Sequence, residues 1–204
     1  MCTEGCETRC GNRLHHGSRS SCVTIQLVRF SRRFEEPKVH GYVLDIGPKF
    51  FLLALVSDRI WFDGFECFRI ADIRKLRPDP YERFAEQALK KRGEKRPRKP
   101  GVSLKNIREL LLTAGRAFPL VTIHREAIDP DVCWIGRILE VTPEIVKILE
   151  VDPDAVWEDQ PREYRLSEIT HVNFGGDYED ALYLVGGEPR GKERKKEGLS
   201  RQKI

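Results

Sequence analysis

The first 22 residues concentrate the side chains that could bind a metal. Four thiols and two imidazoles occur in this polar stretch: Cys2, Cys6, Cys10, Cys22, His15 and His16. Thiolates and imidazoles are the usual ligands of structural zinc. The gaps between Cys2, Cys6 and Cys10 are three residues long, whereas a zinc knuckle is typically built on two-residue gaps. A loose N-terminal extension that binds no metal is therefore the favoured interpretation.

A second group of side chains is basic and suits phosphate binding. Residues 90–100 have the sequence KKRGEKRPRKP, in which seven cations accompany a single acidic residue: Lys90, Lys91, Arg92, Lys95, Arg96, Arg98 and Lys99. Such a density of cations can neutralise nucleic-acid phosphates. Because no aromatic residue is interleaved to stack on a base, the pattern predicts non-specific contact with RNA, DNA or an acidic protein surface. The alternatives are a solvated linker between folded units and neutralisation of the acidic second half of the same chain.

The remaining reactive residues are scattered along the chain. His40, His124 and His171 lie far apart, and neither Cys67 nor Cys133 has a histidine at a matching position. Both cysteines fall within apolar strand patterns, so we expect them to be buried in a reducing compartment. Catalysis needs groups in named roles and in mutual contact. The sequence therefore predicts a protein that is not an enzyme, with no catalytic residue, metal or cofactor.

The elements that must position these residues occur twice in the chain. The segment FRIADIRKL at residues 68–76 returns as YRLSEITHV at residues 164–172. The match extends outward, where Gly41 corresponds to Gly136 at a similar offset. A self-match that keeps its order over such a length predicts a duplicated unit of about 60 residues.

One matched pair of residues in each repeat suggests a local contact. Arg69 and Asp72 in the first repeat correspond to Arg165 and Glu168 in the second. In both repeats the arginine and the carboxylate lie three residues apart across a predicted tight turn. We therefore predict an ion pair or a turn hydrogen bond within each repeat.

Alternating apolar residues predict five short strands in each repeat. The first five strands lead into PDPYERFAEQALKKRG, a predicted helix that Asp79 can cap and Pro80 can begin. An amphipathic helix within VSLKNIRELLLTAGRAF precedes the second set of strands, with Ser103 as its predicted cap and Gly115 as its end. A short helix, YEDALYLV, follows the second set.

The charges divide unevenly between the two repeats. Residues 23–100 carry 18 basic and 11 acidic groups, a net charge of +7, whereas residues 126–188 carry 4 basic and 16 acidic groups, a net charge of −12. The whole chain has a net charge of +4. Two repeats with opposite surfaces are not expected to share one electrostatic role.

The strand pattern resembles that of tandem Sm-like or SH3-like small β-barrels. The resemblance covers residues 23–78 and 117–174 and rests on the number of short strands, their spacing and the tight turn before the last strand. The Asp-x-x-x-Asn and Arg-Gly signatures of Sm-type RNA binders are missing from the corresponding stretches, LDIGPKFFLL and LEVTPEIVKIL. The resemblance therefore implies the fold and does not imply base recognition or ring assembly.

These patterns together predict a mainly β, α+β protein of two duplicated five-stranded barrels, each followed by a helix. The predicted divisions are a disordered Cys-containing leader at 1–22, the first barrel and helix at 23–92, a basic linker at 93–101, a helix with the second, acidic barrel and a short helix at 102–187, and a disordered tail at 188–204.

The same patterns limit the cellular location and the class of function that we expect. No apolar run is long enough to span a bilayer, and the N-terminus lacks the apolar core of a secretion signal, so we expect a cytoplasmic protein. We expect a non-enzymatic binding or scaffold protein whose partner is another protein. The alternative is a protein that contacts RNA or DNA phosphates through its basic first half and linker.

Overall fold

The computed structural model describes residues 27–34, 39–76 and 80–189. The candidate zinc ligands of the leader, the cap residue Asp79 and the tail from residue 190 onward lie outside these ranges. The ten strands are β1 (Leu27–Arg32), β2 (Val39–Ile46), β3 (Phe50–Val56), β4 (Phe62–Arg69), β5 (Ile73–Leu76), β6 (Val121–His124), β7 (Cys133–Val141), β8 (Ile145–Glu150), β9 (Arg162–Arg165) and β10 (His171–Phe174).

All ten strands belong to one open antiparallel sheet, in the order β5-β1-β2-β3-β4-β10-β6-β7-β8-β9. The first repeat contributes β1–β5 and the second contributes β6–β10, five strands each as predicted. The mainly β fold is confirmed, but the two closed barrels are not. Strand β4 pairs with β10 of the other repeat, so the ladder continues from one repeat into the next and does not close on itself.

Three helices accompany the sheet: α1 (Pro80–Arg92), α2 (Ile107–Ala117) and α3 (Asp177–Gly186). Helix α1 begins at Pro80, as predicted. The prediction for α2 is wrong at both ends, because Asn106 caps it by accepting a hydrogen bond from the Glu109 N–H at 2.8 Å. Gly115 lies inside α2, where the Ile138 side chain leaves no room for a Cβ. None of the helices in the described ranges is long and apolar enough to cross a membrane.

The two repeats share details of backbone geometry. Strands β2 and β7 are matched, and each shifts its register at an equivalent place, after Val43 and after Ile138. The turn after the third strand of each repeat contains a residue in the left-handed region, with φ of 60° at Ile60 and 61° at Ala155. Positive φ is rare for residues other than glycine. Its occurrence at two matched positions therefore indicates that both repeats use the same turn.

The largest apolar core is shared by the two repeats. It combines Leu52 and Cys67 of the first repeat with Ile123 and Ile148 of the second, and α2 inserts residues such as Leu110 into it. The α2 helix thus belongs to a core that both repeats build.

The two cysteines differ in their burial. Cys67 is fully buried, as predicted, whereas the prediction for Cys133 is wrong because Cys133 is exposed. Cys133 is the first residue of β7, where the strand emerges from a surface loop.

Candidate functional site

Arg92, one of the predicted phosphate-binding residues, packs against the first repeat. Its guanidinium donates hydrogen bonds to the carbonyl oxygens of Arg59 at 2.5 Å and Ile60 at 2.8 Å. The same guanidinium lies 4.7 Å from the ring centroid of Trp61. These contacts hold the end of α1 against the strained turn at Ile60, so Arg92 has a structural role.

Two further linker cations also contact the first repeat. The Arg96 guanidinium lies 5.4 Å from the ring centroid of Tyr42, and the Lys99 ammonium is 2.5 Å from Asp45. The described linker contacts are therefore not with the acidic second repeat. Four linker residues are exposed and form no ion pair within the described ranges: Lys90, Lys91, Lys95 and Arg98. Phosphate binding by the linker stays a prediction.

A ladder of three stacked rings crosses the junction between the repeats. Phe68, His171 and His124 occupy facing positions on the neighbouring strands β4, β10 and β6. The ring centroids are 4.2 Å apart for Phe68 and His171 and 4.4 Å apart for the two histidines. The prediction that the histidines are scattered is therefore wrong for His124 and His171, because strand pairing joins positions that are distant in sequence.

A buried ion pair lies beside this ladder. The guanidinium of Arg32 donates to both carboxylate oxygens of Glu126, at 2.8 and 2.5 Å. Glu126 also accepts a hydrogen bond of 2.7 Å from the Thr170 hydroxyl. The Arg32 guanidinium lies 4.4 Å from the ring centroid of Phe68. Arg32 lies in the first repeat and Glu126 in the second, so the pair ties the repeats together.

The surroundings of the two histidines keep them neutral. Burial lowers the pKa of His171 well below its ordinary value, and the neighbouring His124 and the positive charge of Arg32 lower it further. Burial likewise lowers the pKa of His124 to about 4. Both imidazoles are therefore uncharged at neutral pH.

His124, Glu126 and His171 bring their ligand atoms within 4.8 Å of one another, but their arrangement does not fit a metal ion. Imidazole binds a metal through a lone pair in the plane of its ring, with a bond of about 2 Å to zinc. The two rings are stacked with an angle of only 20° between their planes, so an ion between them would lie outside both planes. Both oxygens of Glu126 are already bound by Arg32, whose charge would repel a divalent cation.

A small cleft of about 240 Å³ at the junction is lined by Cys133 and His124, among other residues. The two residues face each other across β6 and β7. Cys133 is exposed as a residue, but the partial burial of its thiol beside the cleft raises the pKa of that thiol. Full burial raises the pKa of the Cys67 thiol. Since the thiolate is the reactive form of cysteine, the cleft contains a thiol beside a neutral imidazole and no activated nucleophile.

The predicted local ion pairs occur in one repeat. Arg69 and Asp72 are 2.7 Å apart in the first repeat, as predicted. In the second repeat the prediction is wrong, because Glu168 pairs with Arg125 at 3.0 Å and not with Arg165. Arg125 follows β6, the strand that pairs with β10, and it therefore reaches Glu168 from the neighbouring strand.

The second repeat carries a larger open groove of about 920 Å³, which we call the acidic groove. Its lining residues are Leu139, Leu149, Ala155, Val156, Trp157, Glu158, Asp159, Gln160, Pro161, Val185, Gly186, Glu188 and Pro189. Three of them are exposed apolar residues: Leu139 at 51%, Val156 at 60% and Val185 at 76%. The lining contains three carboxylates and no lysine or arginine. The groove thus combines apolar surface with negative charge.

Trp157 joins two of the segments that line the acidic groove. Its indole N–H donates to the carbonyl oxygens of Gly186 at 3.3 Å and Gly187 at 3.1 Å. These bonds join the loop before β9 to the end of α3, and residues of β7 and β8 complete the lining. The groove was not predicted from the sequence, because the two segments that Trp157 joins are about 30 residues apart.

No protein-family model, curated protein or solved structure matches the chain. The function of the protein is therefore inferred from the geometry and charge of its own surfaces.

Proposed function

We propose that the protein is a non-enzymatic binding protein that holds a basic, partly apolar segment of another protein in the acidic groove. The observation that carries this proposal is the composition of the groove lining, which pairs exposed Leu139, Val156 and Val185 with carboxylates and contains no cation. Contiguous exposed apolar surface marks interaction sites on soluble proteins.

The charge of the second repeat supports a basic partner. Residues 126–188 carry 16 acidic and 4 basic groups, and a field of one sign steers partners of the opposite sign toward a surface. Within the lining, Glu158 lies 4.0 Å from Arg162 and Glu188 pairs with Arg137. Asp159 forms no ion pair within the described ranges, which leaves it for a partner cation.

We also infer that each repeat is a small Sm-like or SH3-like unit. Both repeats place their strands in the order fifth, first, second, third, fourth. Both insert one turn of 3-10 helix before the last strand, at Ile70–Asp72 and Leu166–Glu168. This arrangement supports the resemblance, with the open edge of one unit continued by the other.

The proposal is tested with the full chain and a labelled peptide of about six residues, the usual length of a strand, that alternates valine and lysine. We expect saturable binding, and none to a peptide that alternates valine and glutamate. Val185→Ser should weaken binding by about fivefold, because apolar contact is lost. Leu184→Ser is the matched control, since Leu184 is 84% exposed and is not part of the groove lining. Equal binding of the acidic and basic peptides would refute the proposal.

A second candidate function is phosphate binding by the linker. It is favoured by the exposure of Lys90, Lys91, Lys95 and Arg98, which form no ion pair within the described part of the chain. Changing these four residues to serine spares Arg92 and its packing contacts. If RNA or DNA binds, its affinity should fall steeply with salt and should drop in the four-serine variant. Absence of binding at low salt would exclude this function.

A further inference from the structure

The junction between the repeats displays a complete strand-addition site. The outer edge of β4 is occupied by β10, which runs antiparallel to it with Phe65 opposite Phe174 and Phe68 opposite His171. Strand β10 comes from the other repeat, about a hundred residues further along the chain, so the pairing is made by an element foreign to the first repeat. The fourth strand of a repeat thus accepts an added strand.

The second repeat presents the same edge, and no strand in the described ranges occupies it. Strand β9 is the fourth strand of its repeat, and Tyr164 and Arg165 match Phe68 and Arg69 of β4. On its other side β9 pairs with β8, and it is the terminal strand of the sheet described here. The edge of β9 therefore corresponds to the edge of β4 that β10 fills.

We propose, building on the function proposed above, that the partner segment binds by adding an antiparallel strand to β9. Strand addition is a common way to bind extended peptides, in which main-chain hydrogen bonds supply affinity and side-chain pockets supply specificity. The same partner segment then uses its apolar and basic side chains in the acidic groove.

The edge and the acidic groove are continuous. Residues 158–161 line the groove and lead directly into β9. The pairing with β8 also continues beyond the N-terminal end of β9. There the Glu158 N–H donates to the Glu150 carbonyl oxygen at 2.9 Å, and Val151 forms a β-bridge with Trp157. A strand along β9 that continues in this direction reaches the groove.

The charges at the edges disfavour a second molecule of this chain as the occupant. In a second molecule the strand equivalent to β10 is β5, in which Arg74 matches Thr170. Thr170 accepts a hydrogen bond from the Arg69 N–H at the junction, so the equivalent contact would place Arg74 beside Arg165. Both arginines are exposed, and like charges on facing strands are destabilising. A different polypeptide avoids this repulsion.

The test is a scan of the valine–lysine peptide in which one backbone nitrogen at a time is methylated. In an added strand every second N–H points toward β9. Methylation at those positions should weaken binding by about tenfold each, whereas methylation at the intervening positions should change it by less than about twofold. Sedimentation of the protein alone, at the concentration used for the titration, accompanies the scan and should show a single-chain species.

The outcomes separate this inference from the function on which it rests. An alternating pattern of losses with a single-chain protein supports strand addition. Binding that is indifferent to the position of methylation overturns strand addition and leaves the groove as a side-chain site. Head-to-tail association of the protein, reversed by the peptide, also overturns the inference, because β9 would then hold a second molecule. Failure of every peptide to bind refutes the proposed function itself.

Discussion

Arg32 and Glu126 are 94 positions apart in the chain, yet they form a buried, bidentate ion pair with N–O distances of 2.8 and 2.5 Å. The side chains are 1% and 7% exposed. Arg32 ends β1 of the first repeat and Glu126 follows β6 of the second. The pair therefore depends on the correct placement of the two repeats.

Replacing Arg32 with methionine should destabilise the protein strongly. The substitution keeps much of the side-chain volume but leaves the Glu126 carboxylate buried without its counter-charge. Breaking a buried pair from one side typically costs about 3–5 kcal/mol. The free energy of unfolding, measured by urea denaturation, should fall by that amount. The control is Arg165→Met, since Arg165 is exposed and forms no ion pair in the described ranges, and its effect should stay within about 0.5 kcal/mol. Equal effects of the two substitutions would show that the Arg32–Glu126 pair does not contribute specially to the stability of the fold.

The stacked histidines should make the protein less stable in mild acid. In the folded state the pKa of His124 is lowered from 6.5 to about 4 and that of His171 is also lowered, so the unfolded chain binds protons first as the pH falls. Stability is therefore lost below about pH 6.5, by up to about 1.4 kcal/mol per pH unit for each histidine. The groups that face His171 are Arg32, Glu66, Glu126 and His124.

The measurement is urea denaturation between about pH 5 and pH 7, a window above the ordinary pKa of carboxylates. His171→Phe keeps a ring in the stack between Phe68 and His124 and should reduce the pH dependence by about half. The same variant at neutral pH serves as the control for its fold. If the free energy of unfolding of this variant changed with pH as steeply as that of the unsubstituted protein, the pH dependence would come from other groups.

The sequence predicted the repeat and its strands because both depend on local patterns. Apolar alternation and the match around residues 68–76 and 164–172 are visible without a partner strand. The pairing of β4 with β10 was not predictable in the same way, because the main chain makes these hydrogen bonds whatever the side chains are. The sequence therefore predicted two closed barrels, whereas the pairing of β4 with β10 joins the repeats in one open sheet.

The residues at the junction were missed for a related reason. Glu126 lies in a polar stretch and Arg32 precedes a charged one, so each resembles an exposed loop residue. Their burial results from the meeting of two repeats, and no local pattern encodes that meeting. The acidic groove could be anticipated only as a surplus of carboxylates in residues 126–188.

Gly41 and Gly136 should be equally intolerant of a side chain. These matched residues lie on β2 and β7, and an added Cβ would collide with the backbone oxygen of Ala54 and of Leu149, respectively. Each alanine substitution should therefore lower the free energy of unfolding by about 1–3 kcal/mol. Gly101→Ala is the control, because a Cβ there would have no neighbour within 4 Å. A large effect in only one repeat would contradict the structural equivalence of the two strands.

Alanine substitutions of Arg92 and Lys91 should distinguish a basic residue that stabilises the fold from one that is only exposed. Arg92 donates to the Arg59 and Ile60 carbonyl oxygens and stacks on Trp61, whereas Lys91 is exposed and has no ion pair in the described residues. Arg92→Ala should lower the free energy of unfolding by about 1–2 kcal/mol, since charged donors to carbonyls are among the stronger hydrogen bonds. Lys91→Ala should leave it unchanged within about 0.5 kcal/mol. If both substitutions weakened RNA or DNA binding equally and neither altered stability, Arg92 would be part of a phosphate surface and its contacts with the first repeat would be dispensable.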